Sequence, residues 1–565
     1  MMRDLNDIVI KFPRIGRREG FLAMENRFKQ AIESGEFVVT CEIIPGRGAH
    51  EDAQEREIEE AKKIYATGRV HAMSITDNPG GNPALLADRL GEEFLGEGII
   101  PLVHFTCKDR SRNQVISQLY SMERAGIENI LFMTGDYQVT GWDGRARPVF
   151  DLDSVQIQML ATEMNAGLQV PGRKGPVTEK QTHFFNGGVV NPFKYLEGET
   201  IPQYLKMEKK IIGGAKFLIT QLGYDARKME ELIRYRDERG FDTPIIANIF
   251  LVTRGAAKLM QKGAIAGCYI SPEFLAQLEE EAKAEDKGKA ARIERAAQMV
   301  AIAKGLGYAG VHIGGFGVTA EMLCGILDRA DELADEWREC VKKVNFGKKD
   351  GYYIYEAEKD AEGQPTGLNV EAKSPQLEQA RSRKVFQKWG LSKFFHHWVL
   401  TLDKRFNKIL ASRMNSLDEK KGVYRHHGLE HTGKSMLYGC MDCGDCGLEA
   451  TLYTCPMTQC PKCQRNGPCG GTYDGYCEVF PDGSRYCIWY KAYHKAKKDD
   501  AMDRITSYIT PPNHWELYSS SPWSAYTHRR DNCAGRIPVS LGLETGTPGG
   551  KSDETDLLKK VDTNL

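Results

Sequence analysis

The chain has 565 residues, 41% of them hydrophobic, and its 76 basic and 77 acidic side chains leave a formal net charge of −1. That length is too great for one ordinary core, so two or three domains are expected, one of them large enough for a barrel. Interleaved, balanced charge excludes nucleic acid and anionic membrane surfaces as partners, and no run approaches the roughly 20 apolar residues that span a bilayer. Residues 1–7 lack an apolar signal core, so a cytoplasmic protein is expected, in which thiols stay reduced and available to metal.

Residues 1–34 read as a lead-in, with a helix over Met24–Glu33 that ends at Gly35. Beyond it, short apolar runs alternate with amphipathic stretches, the pattern of βα units. Strands are expected at Phe37–Ile44, Ala72–Thr76, Ile99–Phe105, Asn129–Met133, Thr182–Asn186, Phe217–Thr220, Ile245–Asn248 and Val311–Ile313. Helices are expected at Glu55–Tyr65, Asn113–Ala125, Leu205–Ile212, Ala226–Glu238, Ala256–Gln261 and Ala320–Leu333, from apolar residues three and four apart. The fold class is therefore α/β, with residues 35–335 forming a (β/α)8 TIM barrel. An open sheet fits less well, because no early strand carries a Gly-rich dinucleotide turn.

In such a barrel the chemistry sits at the C-terminal ends of the strands. Polar residues stand there: Glu42, Thr76 with Asp77, His104 with Thr106, Gly135-Asp136, Asn186, Gln221, Asn248 and His312. One such residue is usually a loop cap or a satisfied core group. Eight together indicate a polar site at the mouth.

Residues 336–435 read as a helical connecting region. Within it Gly351–Tyr355 is strand-like, Glu362–Pro375 reads as a polar loop, and Val385–Met414 reads as two amphipathic helices that pack on a neighbouring domain. Gly428–Ser435 satisfies the phosphate-loop pattern, with Lys434 in the cationic position. A poor strand precedes it and Cys440 follows within two turns, so an ordinary turn is expected.

Nine of the fifteen cysteines fall between residues 440 and 487: Cys440, Cys443, Cys446, Cys455, Cys460, Cys463, Cys469, Cys477 and Cys487. The first three form C-x-x-C-x-x-C, and Cys455 and Cys460 each precede proline. This is metal-ligand spacing, and nothing around it resembles a secreted disulfide scaffold. Residues 436–498 are thus expected to form a small cysteine-rich metal-binding domain. Eight thiolates would hold two [4Fe–4S] clusters with one cysteine left over; one or two zinc ions are the alternative. A helix over Trp489–Lys497 closes this domain. Residues 499–565 then form an arm and a tail that from Leu541 is too polar to fold alone, with Cys533 isolated and structural.

Four segments carry a family resemblance: Cys41–Pro45, Val103–Cys107, Gly126–Ile130 leading to Thr134-Gly-Asp136, and Gly214–Gln221. In this order they resemble methylenetetrahydrofolate reductases, over residues 35–330. Cys443–Cys446, Cys455–Met457, Asn466–Gly471 and Cys487–Trp489 resemble the cysteine-rich companion of the acetogen-type reductases, here fused to the barrel. The resemblance implies a flavin, FAD or FMN, in the barrel mouth and reduction of 5,10-methylenetetrahydrofolate to 5-methyltetrahydrofolate by hydride transfer.

By position, Glu42 would be the general acid that opens the folate ring, its carboxyl kept protonated by an apolar surround such as Ile43–Pro45. Asp136 would lie beside flavin and pterin, and Gln221 would hydrogen-bond the pterin. Flavin contacts would come from Thr76, His104, Thr106, Asp136, Asn186 and Lys210. The family's Tyr-Pro-Glu at the fifth strand is replaced by Phe185–Gly188 and its usual Arg before Gly-Asp by Thr134. Electrons would come from a ferredoxin-like protein or a partner redox subunit through the clusters, within an oligomer or complex. Two alternatives stand beside this: the same reductase using NAD(P)H with a structural zinc domain, and a non-reducing methyl-folate-binding component.

Overall fold

The strand–helix alternation of the first 335 residues closes on itself. The computed structural model describes residues 25–376, 378–399, 409, 412, 428–532 and 535–539. Eight parallel strands form a closed barrel: β1 (Val38–Ile43), β2 (Ala72–Ile75), β3 (Pro101–Thr106), β4 (Asn129–Met133), β5 (Phe185–Val190), β6 (Phe217–Thr220), β7 (Ile245–Phe250) and β8 (Gly310–Gly314). β1 pairs with β2 on one side and β8 on the other. This is a (β/α)8 TIM barrel, as the sequence pattern implied.

Period-two alternation splits each strand's side chains between lumen and helix layer. The lower lumen is apolar: Val38, Ala72, Leu102, Leu131, Phe217 and Ile246 share one buried cluster with Phe28. Phe28 comes from the helix Arg27–Ser34, which Asn26 caps by accepting from the Lys29 amide (3.1 Å) and which ends at left-handed Gly35. Its ring meets Phe185 and Phe217 edge-on, at 6.1 and 5.0 Å between centroids. The end of the expected lead-in is therefore the floor of the barrel.

The fifth strand begins and ends later than expected. Residues before Phe185 are held by the helix Ser154–Ala166, where Asn165 pairs with both the amide and the carbonyl of Phe184 (2.9 and 2.8 Å). The strand then runs through Gly187-Gly188, which reads as a turn in sequence. A Cβ on Gly187 would lie 2.4 Å from the Phe217 ring, so the glycine serves close strand–side-chain approach. The helix expected from Leu205 spans Glu197–Ile212. Its polar residues Glu197, Glu199, Lys206, Lys209 and Lys210 are all buried, so its polar face does not mark a solvent side. Helices Ala87–Gly96, Pro272–Glu281 and Lys289–Gly305 were also not anticipated.

In the connecting region, Pro365–Lys373 is a strand where a loop was expected, paired antiparallel with Tyr355–Lys359. It is polar because its buried contacts are polar: Asn369 bonds Arg227 and the Glu230 carboxylate on the helix Ala226–Glu238. Residues 351–354 are not strand; the Ile354 amide donates to Glu231. Of the two helices expected over Val385–Met414, Trp389–Val399 is present, and the second lies outside the described residues apart from 409 and 412. The expected turn at Gly428–Ser435 is a helix, Gly428–Tyr438. Lys434 there pairs with Glu430 one turn back (2.5 Å), so neither the phosphate-loop pattern nor the turn describes it.

Between Cys440 and Cys487 the described backbone makes only turns, bends and isolated bridges. The helix Ile488–Asp499 follows and packs against Glu197–Ile212. Cys533 and the tail from Leu541 lie outside the described residues. No described helix is long and apolar enough to cross a membrane.

Candidate functional site

Above the apolar floor the lumen turns polar. Cross-strand register aligns Thr40 with His312 and His312 with Asn248. Thr40 Oγ1 lies 2.9 Å from His312 Nδ1, and His312 Nε2 lies 3.5 Å from Glu42 Oε2. Across the lumen Ser74 Oγ meets His104 Nε2 at 2.7 Å, and the two imidazoles stand 6.1 Å apart. Burial pulls His104 down to about 4, so its ring is neutral near pH 7.

Glu42 does not sit in the apolar surround expected for it. Ile43 points into the helix layer by strand parity, and the lumen supplies histidine instead. Burial pushes the carboxyl up, but the hydrogen bond and charge of His312, with the charge of His104, outweigh it and leave Glu42 below the usual carboxylate range. Gly314 makes room beside it, since a Cβ there would lie 3.1 Å from Glu42 Oε1.

The next group is an anchor. Thr106 donates from both its amide and its hydroxyl to Asp77 Oδ2 (2.9 Å each), and Arg110 pairs with the same oxygen (2.7 Å). Thr76 donates to the Ile43 carbonyl at the end of β1 (3.4 Å). Gln221 is half-buried, its Oε1 accepting from the Leu222 amide (2.9 Å). Asp77 Oδ1 and Asn248 Oδ1 are buried with no hydrogen-bond partner among the described residues.

Two expected flavin contacts face elsewhere. Asn186 has the opposite strand parity to Phe185 and Val189, which join the lumen cluster, so its fully buried amide looks to the helix layer. Lys210 lies on the outer helix with its ammonium on the Val189 carbonyl. Burial pulls it down to about 7. Neither residue belongs to the lumen set.

Asp136 stands on the loop after β4, accepting from the Gly80 amide (2.7 Å). Burial pushes it up, and the charge of Lys462 is the largest influence in the other direction. Lys462 comes from the cysteine-rich region, which lies directly against the mouth. Its ammonium donates to the Gly135 carbonyl (2.7 Å) and pairs with Glu478. Thr134 donates to Gln464 (3.1 Å), which also accepts from Lys206 (2.7 Å). Asp153 Oδ2 accepts from the amides of Arg465 and Asn466 and from the Asn466 side chain (3.2, 3.0 and 3.0 Å). Asn191 reaches the Gly470 carbonyl (3.1 Å), and Lys194 reaches that of Thr472.

The nine cysteines divide in space. Cys460, Cys469, Cys477 and Cys487 line one cavity, with Lys462, Glu478 and Trp489 in its wall. Cys440, Cys443, Cys446 and Cys455 line a second, beside Lys434 and Met457. Cys463 lines neither, and every described cysteine is unpaired. Among the described residues, no three His, Cys, Asp or Glu groups converge so as to hold a single metal ion.

Sequence reasoning missed Thr40, Ser74, Arg110, Lys462 and Glu478. Strand parity could have found the first two, which share a face with Glu42 and Thr76. Nothing local marks Lys462, a lysine between Pro461 and Cys463.

The site is thus a (β/α)8 barrel whose polar mouth is flanked by a loop-built, thiol-rich region. Residues 27–322 match the family model for methylenetetrahydrofolate reductase, and residues 423–516 match the model described as methylene-tetrahydrofolate reductase C terminal. The chain belongs to the methylenetetrahydrofolate reductase family, oxidoreductases acting on methylenetetrahydrofolate. Among solved structures it is similar to an uncharacterized protein from Clostridium thermocellum that binds two copies of 5-methyl-5,6,7,8-tetrahydrofolic acid. That match has 15% identity and a TM-score of 0.38, over 55% of this chain and 99% of the other. A match to tryptophan synthase from M. tuberculosis has 11% identity and a TM-score of 0.28, over 56% and 96%.

Proposed function

We propose that the barrel mouth binds a flavin together with 5,10-methylenetetrahydrofolate and reduces it to 5-methyltetrahydrofolate, with electrons arriving through two [4Fe–4S] clusters. The observation that carries this reading is the sorting of eight thiols into two four-cysteine cavities, one of them joined to Asp136 through Lys462. Four thiols and no imidazole around each cavity suit an iron–sulfur cluster. The unpartnered Asp77 and Asn248 oxygens, with Thr76, His104, Thr106 and Asp136, suit the heteroatom edge of a flavin. A bound flavin supplies the hydride and bound clusters supply single electrons.

The chain's own residues then have these roles. Gln221 and Asp136 orient the pterin. Burial keeps His104 neutral and Ser74 fixes its Nε2, and Arg110 with Asp77 fixes Thr106. Glu42 protonates the folate nitrogen and so opens the five-membered ring. Thr40 occupies Nδ1 of His312, which turns Nε2 to the carboxyl; that contact lowers the Glu42 carboxyl, so its role as acid requires bound folate and flavin to raise it again.

Protein purified without oxygen tests this by its content. About eight iron and eight sulfide per flavin are expected. Zinc without sulfide would overturn the cluster assignment, and protein without flavin would overturn the reductase reading.

A further inference from the structure

Each cysteine cavity carries one buried lysine–glutamate pair, and the two pairs differ in what else they touch. Lys434 and Glu430 pair at 2.5 Å, and the lysine also approaches Cys446 Sγ at 3.9 Å. All three residues lie outside the barrel, and Glu430 also accepts from the Ser521 hydroxyl (2.6 Å). Lys462 and Glu478 are as deeply placed, with side chains 4% and 9% exposed, but their contacts cross to the barrel. Glu478 accepts from Cys469 Sγ (3.6 Å), and Lys462 donates to the Gly135 carbonyl, one residue from Asp136. Burying two charges is costly before their attraction offsets it, so a pair serving only to dock two surfaces would be a poor choice. A fixed cation between a thiol cavity and a carboxylate at the mouth acts on both electrostatically.

We propose that Lys462 is a positioning residue for electron transfer, one that holds the Cys460/Cys469/Cys477/Cys487 cavity against Asp136 and raises the potential of the flavin there. That cavity is the inner one, which passes electrons to the barrel; the Cys440/Cys443/Cys446/Cys455 cavity is the outer one, which receives them. The proposal rests on the flavin-and-cluster reading above. A nearby cation favours the reduced flavin, which carries more negative charge, and a nearby anion disfavours it.

The experiment is a spectroelectrochemical titration of the full-length, anaerobically purified protein and its K462M, K462R and E478Q variants, with iron content and thermal unfolding measured alongside. K462M is expected to lower the flavin midpoint potential, E478Q to raise it, and K462R to stay near wild type. The signal of one cluster should shift with the flavin and that of the other should not. Shifts of opposite sign from two neighbouring neutralisations are not what a purely structural tie produces. If K462M fails to fold, the rise in E478Q and the retention in K462R decide the matter. A wild-type flavin whose potential ignores the substitutions, or moves the same way in K462M and E478Q, overturns this proposal alone. Wild-type protein without flavin overturns it together with the reading beneath it.

Discussion

In the barrel, residues 38–314, strand parity sorts side chains into an apolar floor, a polar upper lumen and an apolar helix-facing layer. Between Cys440 and Cys487 fewer than half of the residues are buried, and the chain there forms no helix or strand beyond isolated bridges. The barrel is held by backbone ladders and by apolar area. The cysteine-rich region is held instead by buried carboxylates that collect donors. Asp445 accepts from Arg465 (3.0 Å), the His514 amide (3.2 Å), and the amide and side chain of Asn532 (2.6 and 2.7 Å). Asp153 does the same across the seam with Arg465 and Asn466. This region leans on the barrel through such contacts, and the clusters proposed above would order it further.

Removing metal should break the comparison most sharply. Chelation under reducing conditions is expected to expose residues 440–487 to protease while the fragment around residues 27–322 survives; equal resistance of both would refute the difference. Next comes Glu42→Gln, expected to lower turnover by about 10²–10⁴-fold while flavin content stays at the wild-type level. Loss of flavin in that variant would show instead that Glu42 holds the cofactor.

The seam itself is tested by Asp153→Ala, which strands three donors of the cysteine-rich region and removes the cap of the helix Ser154–Ala166. About 3 kcal/mol of stability should be lost in urea unfolding, with the cysteine-rich transition moving furthest. The smallest effect is with pH. His104 titrates at about 4 folded and at its ordinary 6.5 unfolded, so the unfolded chain takes up the proton first. Stability is therefore lost as pH falls from 6.5 towards 4, by about 2 kcal/mol between pH 7 and 5. The lowered Glu42 carboxyl adds a loss of the same sign below its ordinary value. A His104→Gln variant should flatten the upper part of this profile in thermal unfolding at several pH values.

Much of this was legible in the chain because it is local. Eight apolar runs separated by turn signals predict eight strands, and polar residues at their C-terminal ends predict a polar mouth; Glu42, Thr76, His104, Thr106, Gln221, Asn248 and His312 all fall on the lumen face. Asn186 was misjudged because its strand's start was misplaced and a single-residue error in parity changes the face a side chain shows. Lys210 was misjudged because its ammonium turns to the Val189 carbonyl of β5, and the helix Glu197–Ile212 because a second region buries other polar residues on it, such as Lys206 and Lys209. Glu42 was judged by its neighbours in sequence, which point away from it, whereas its partner His312 stands on the adjacent strand β8, 270 residues away in sequence.

The nine cysteines show the same boundary. Their spacing alone indicated that thiols are gathered in one region, as metal ligands would be, since C-x-x-C turns bring sulfurs together locally. Their division into two cavities, the exclusion of Cys463, and the placement of Lys462 between one cavity and Asp136 were decided only by the tertiary structure. Cys463 lies in sequence among the four of the inner cavity yet lines neither cavity; its own backbone is left-handed (φ 47), and the chain passes through Gly467, Gly470 and Gly475, all at positive φ, between the others.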